Sequence, residues 1–188
     1  MSLIKINTIA FVWGIFEATF FFIVPDVWLS YVVLTNYAAQ NNIKLAIKAA
    51  IFTLIGALLG GAVLFWIGSF YPKAIIQFLN AIPAINQTLI AQTQLALNTN
   101  GLYALIIGGF QGVPYKIFAG LAANSSISFL SFLAISAVAR MLRFIAVIAL
   151  VRFLVELLVY LGYKKNLTGL LLIVWIIFYC FYFWQMLN

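Results

Sequence analysis

Proline breaks two of the chain's five apolar blocks in the middle, and that feature constrains the fold most. The blocks run 6–35, 49–71, 101–122, 127–151 and 167–187, with short polar stretches between them. About 20 apolar residues cross the roughly 30 Å hydrocarbon core of a bilayer once. Blocks 49–71 and 167–187 meet that length with no charge, and 127–151 meets it with only Arg140 and Arg143. In the first block Pro25 removes a helical hydrogen bond and drives Val24 out of the α region; Pro114, with Gly112 just before it, does the same to Val113. A helix over 101–113 would be about 20 Å long, too short to cross and return. Irregular backbone at membrane depth is stable only where it is buried in protein or lines a watery cavity. The expectation is an all-α integral membrane protein with three full spans and two re-entrant helical hairpins, 6–35 and 101–122, whose breaks point inward. The alternative for 6–35 is an ordinary span kinked at Pro25.

Composition supports the membrane class and removes most enzymes. Of 188 residues, 66% are apolar and 7% charged, against roughly 25% charged in a soluble domain. The length allows one domain, 1–188. The sequence has no histidine, one cysteine (Cys180) and three acidic residues, Glu17, Asp26 and Glu156. Histidine-dependent phosphatases, helical zinc sites and Ser-His hydrolases are thereby excluded. A magnesium-dependent lipid transferase wants more carboxylates than this. Ser125, Ser126 and Ser128 have no base to activate them except a buried lysine. The chain therefore reads as a non-enzyme with no metal and no cofactor. Cys180 reads as a packing residue. The net charge of +7 serves topology, and no basic-aromatic platform for nucleic acid leaves the membrane.

Pro25 and Pro114 stand 89 positions apart, each followed by a polar linker and a spanning block. Paired, proline-interrupted apolar segments mark the binding site of inverted-repeat transporters. Charge placement agrees: if 6–35 turns back, Lys5, Lys44, Lys48, Arg152, Lys164 and Lys165 share the cytoplasmic side and Lys73 lies outside, as the positive-inside rule asks. The linker 72–100 places Ile75, Ile76, Leu79 and Ile82 on one helical face. It suits an amphipathic segment lying in the interface plane, or a plain connection. Gly56 and Gly60, with Gly61 beside them, let another helix approach closely. The aromatic run 170–183 suits a helix partner, a second copy of the chain included, as well as packing against the chain's own hairpins.

Five ionisable residues, Glu17, Asp26, Lys116, Arg140 and Arg143, lie inside apolar blocks. Each costs at least about 2.5–3.5 kcal/mol near a bilayer centre, so they should converge and compensate one another. Their sum is one positive charge, which suits an anionic group such as phosphate held by Lys116, Arg140 and Arg143. The competing reading is an internal salt-bridge set that binds nothing. Without histidine, a proton-coupled step falls to a carboxylate, which nominates Glu17. Arg152 and Glu156, at helical spacing, read as a solvated pair.

Several motifs carry a family resemblance. They are Gly108-Gly109-Phe110-Gln111-Gly112-Val113-Pro114-Tyr115-Lys116, then Ala119-Gly120, the Ser/Phe-rich stretch 126–132, and Arg140-x-x-Arg143-Phe144. With Phe16-Glu17 and Pro25-Asp26 in the first block, the chain up to about residue 151 resembles the DedA superfamily, also called the VTT-domain or SNARE-associated family, and within it the small YqaA-like branch. The resemblance implies two facing re-entrant hairpins and movement of lipids across a bilayer. Bacterial members of that family, in the inner membrane, recycle undecaprenyl phosphate or move phospholipids, often with proton-motive-force dependence; eukaryotic relatives are scramblases. It also implies that Glu17 and Asp26 are the functional carboxylates and Arg140 and Arg143 the basic pair. Gln111 departs from the pattern where many members have arginine, and the acidic motif has one proline where two are common. The expected function is a flippase or scramblase for an anionic, phosphate-bearing lipid, with membrane lipids as partners and no nucleic acid. A small-solute or ion transporter and a noncatalytic structural factor are the alternatives.

Overall fold

A computed structural model of the chain describes residues 3–38, 43–163 and 166–187, with side chains as far as Trp184. Lys164 and Lys165 of the charge count lie outside the described residues. Every regular element among the described residues is a helix: α1 (Leu3–Thr19), α2 (Asp26–Ala38), α3 (Lys44–Phe70), α4 (Pro72–Asn80), α5 (Gln87–Asn100), α6 (Tyr103–Phe110), α7 (Tyr115–Leu121) with a 3-10 turn at Ala122–Ser125, α8 (Phe129–Tyr160) and α9 (Leu167–Leu187).

Small residues set the first packing contact. A Cβ on Gly14 would meet the backbone of Thr53 and Ala57; one on Gly56 would meet Phe11 and Ile15; one on Gly60 would meet Ile15 and Ala18. The partner numbers rise together along both helices, so α1 and α3 run parallel and start at the same end. Ile6 and Ala10 of α1 accordingly share a buried cluster with Ala46, Ala49 and Ala50. The chain between them has turned back. The segment 6–35 is a helical hairpin broken over 20–25, not one helix kinked at Pro25. Helix α2 makes the return, running alongside α8 from the Asp26–Arg143 pair to the stacking of Arg152 on Tyr37. At the break, the amides of Phe20 and Phe21 both donate to the carbonyl of Phe16, and the Trp13 indole donates to the carbonyl of Ile23 at 2.9 Å. Part of the main chain at the break is thus partnered within the first hairpin itself.

The second hairpin approaches from the other end. Gly108 of α6 receives the Phe118 ring of α7, while Gly61 faces the Tyr115 side chain and Gly68 faces the Gly120 carbonyl. These last two contacts make α7 parallel to α3 and put the base of this hairpin where α3 finishes. Its turn is closed by the Val113 amide on the Gly108 carbonyl at 3.0 Å. Gly112, at φ +86°, supplies the left-handed residue that other side chains rarely adopt.

Helix α8 runs the whole length, about 48 Å for its 32 residues. Near its start Phe132 stacks on Phe65 and Tyr115; from its middle onward Phe144 and Ile148 join the cluster around Ala46 and Ala49. It passes residue 151, where the apolar block ends, and continues to Tyr160 on the exposed Arg152–Glu156 pair one turn apart. The linker 72–100 forms two helices, α4 and α5, whose apolar face is packed against the protein. Ile75 and Leu79 are fully buried and pack on Gly120, Ile82 and Ile85 enter the core, and Gln94 donates to Ser125 Oγ at 2.7 Å. The second hairpin therefore covers that apolar face, leaving Ile76 exposed. Among the described residues two helices, α3 and α9, are long and apolar enough to cross a membrane; nearly half of α3's most apolar stretch is buried, and none of α9's.

Candidate functional site

Each break delivers its charges to one place. Glu17 sits in the last turn of α1 and Asp26 opens α2; Lys116 is the second residue of α7, and Arg140 and Arg143 occupy the middle of α8. Helical spacing puts the two arginines on one face, and the two hairpins end against it. Arg140 pairs with Glu17, both buried, and its guanidinium lies over the Tyr115 ring at 4.4 Å and near Phe144 at 5.4 Å, an arrangement only a planar cation makes well. Arg143 donates from Nε and Nη2 to Asp26 Oδ2 at 2.9 and 2.6 Å, and from Nη1 to the Gly109 carbonyl at 3.3 Å. It thereby ties the first hairpin to the second. Lys116 Nζ donates to the Phe21 carbonyl at 3.1 Å, so the two broken segments touch directly.

The charges do not cancel. Among the described residues, each buried carboxylate has its own arginine, and no carboxylate lies within ion-pairing distance of Lys116. Lys116 is 2% exposed, and one carbonyl satisfies one of its three donors. The surplus positive charge of the cluster is therefore carried by this ammonium.

A cavity of about 820 Å³ lies beside it, with Glu17, Asp26, Lys116 and Arg143 on one wall. Asp26 Oδ1 has no hydrogen-bond partner. The flank between α6, α8 and α9 is rimmed by Phe110, Leu150, Phe178 and Phe181, all between 47% and 60% exposed. The site joins a charged floor to an apolar doorway.

The structure brings together all five charged residues singled out in the sequence, with the breaks at Pro25, Gly112 and Pro114 around them, but it separates their positions. Arg140 does not line the cavity; its guanidinium is held by Glu17 through Nη2 and by two rings, while its buried Nε has no hydrogen-bond partner. Arg140 therefore lies behind the wall, on which Lys116 and Arg143 are the cations. Sequence reasoning missed the opposite wall, Trp175, Phe178, Tyr179 and Tyr182 of α9. Their spacing of three, one and three is a helical stripe, which the uniformly aromatic run around it obscures. Among the described residues no cluster of His, Cys, Asp or Glu could hold a metal ion. No protein-family model, curated protein or solved structure matches the chain.

Proposed function

We propose that the protein is an integral membrane lipid transporter of the DedA type, a flippase or scramblase that moves an anionic, phosphate-bearing lipid such as undecaprenyl phosphate or a phospholipid. In this reading α3, α8 and α9 cross the bilayer, and the hairpins enter from opposite faces as an inverted repeat whose tips meet at mid-depth. The observation that carries the reading is a surplus ammonium, Lys116, on the wall of a cavity whose doorway is exposed apolar side chains. A phosphate can sit against Lys116 and Arg143 while its hydrocarbon tail stays in the bilayer through that doorway, which avoids taking a bare charge through oil. A carrier of water-soluble ions has no use for an apolar flank opening. Asp26 is the better placed of the two carboxylates for proton coupling, since one of its oxygens is unpartnered while Glu17 is held under Arg140.

The test is reconstitution in liposomes with a fluorescent undecaprenyl phosphate analogue and an ordinary anionic phospholipid, measuring how fast each becomes accessible on the opposite leaflet. Rates above protein-free vesicles that collapse in folded Lys116→Gln and Glu17→Gln variants are expected, and their ratio gives the selectivity. No acceleration of either lipid, with or without a proton gradient, overturns the proposal in favour of a solute transporter or a structural factor.

A further inference from the structure

The cavity has one wall unlike the others. No residue of α9 between 167 and 184 is buried, yet Trp175, Phe178, Tyr179 and Tyr182 close the side of the cavity that faces Lys116 and Arg143. Every other wall comes from a hairpin, from α8 or from the α4–α5 elbow, all anchored in the two buried clusters. Helix α9 packs on α2 and is held at the break of the first hairpin by ring contacts. Phe22 meets Phe183 edge-on at 5.4 Å and Tyr179 at 6.5 Å between ring centres. One polar contact stands among them: the Val24 amide donates to the Tyr179 hydroxyl at 2.8 Å.

That hydrogen bond is out of keeping with its surroundings. Val24 lies in the non-helical break immediately before Pro25, which keeps it out of the α region, so its N–H has no helical acceptor. A phenol from 155 residues away satisfies it. An amide so placed, near the guanidinium that Asp26 holds and on the cavity wall, suits a phosphate oxygen as well as it suits a phenol oxygen. The geometry points to α9 as the lateral gate of the cavity, with the Tyr179 hydroxyl as its latch: it holds the Val24 amide while the gate is shut, and a phosphate oxygen of the entering lipid takes that amide when α9 moves aside. The proposal rests on the lipid-transport reading for its ligand, whereas the gate itself is a property of the helix.

Two measurements, both in a Cys180→Ala background, separate the gate from that reading. Val113 lines the cavity at the second hairpin's tip, so Val113→Cys reports access from the bilayer through its labelling rate with a maleimide carried on a lipid chain. Tyr179→Phe keeps every ring contact and removes only the latch. Losing one neutral hydrogen bond should raise that rate on the order of fivefold; an unchanged rate overturns the gate whether or not the protein moves lipid. In the second arm Phe22→Cys and Phe183→Cys are bridged by a reducible bifunctional thiol reagent. Translocation of the anionic phospholipid is expected to stop on bridging and return on reduction. An active parent whose rate ignores the bridge overturns the gate and leaves lipid transport standing. An inactive parent overturns lipid transport, and the labelling arm then decides the gate alone.

Discussion

Arg140 and Lys116 are both buried cations in one cluster, yet their substitution should have opposite consequences. Arg140 compensates Glu17, so Arg140→Met strands a carboxylate among Tyr115, Phe144 and the helices around them. Breaking a buried pair in this way costs about 3–5 kcal/mol. Removing both charges, as Glu17→Gln with Arg140→Met, should recover most of that loss; denaturant or thermal unfolding of the purified protein across the double-mutant cycle measures it. Lys116 forms no ion pair, and Glu17, the carboxylate whose charge reaches it, is already paired with Arg140, so Lys116→Gln relieves a desolvated charge. The variant should be as stable as the parent or more so, while losing on the order of tenfold in its rate with anionic lipid, the worth of a charged hydrogen bond. A Lys116→Gln protein that unfolds like Arg140→Met would show the ammonium to be structural. The sequence could identify these residues, because charges in apolar blocks need no partner to be noticed. It could not assign the pairs, because Arg140 and Arg143 share a helix face and only the seating of two hairpins decides which carboxylate each one meets.

Elements were legible where the backbone itself is interrupted. Pro25 and Pro114 act through missing amide hydrogens and local sterics, so both breaks can be read without knowing what surrounds them. The linker was not legible in the same way. Its apolar face at Ile75 and Leu79 looks alike whether water, lipid or protein lies beyond, and Gly120, 41 residues beyond Leu79, decides the matter by leaving room for it. The same logic grades the glycines. Gly14 and Gly56 are placed where a side chain would enter the facing backbone, whereas Gly109 has open space around its Cβ position. Gly56→Val should therefore cost about 3 kcal/mol or prevent folding, as overpacking does. Gly109→Ala, inside α6, should leave stability unchanged or raise it by about 0.5–1 kcal/mol through backbone entropy. Equal losses at both positions would mean that α1 and α3 do not meet through their glycines.

At the scale of the whole molecule the parallel course of α1 and α3 fixes everything else, because it places Lys5 and Lys44 at one end and Lys73 at the other. Arg152, stacked on Tyr37 near the end of α2, joins the first group. The basic residues thus segregate by end among the described residues, as orientation in a bilayer requires. A first block that crossed completely would put Lys5 and Lys44 on opposite faces and Lys5 and Lys73 on the same one. Single cysteines at Lys5, Lys44, Lys73 and Asn100 in the Cys180→Ala protein, labelled in sealed vesicles with a membrane-impermeant thiol reagent, separate the two topologies. The first two should react from one side and the last two from the other. Lys5→Cys reacting with Lys73→Cys instead would undo the first hairpin, and with it the meeting of Phe21 and Lys116. The floor of the cavity exists only because both hairpins stop half way, so the side from which residue 5 is labelled also tests whether this chain can have a site there at all.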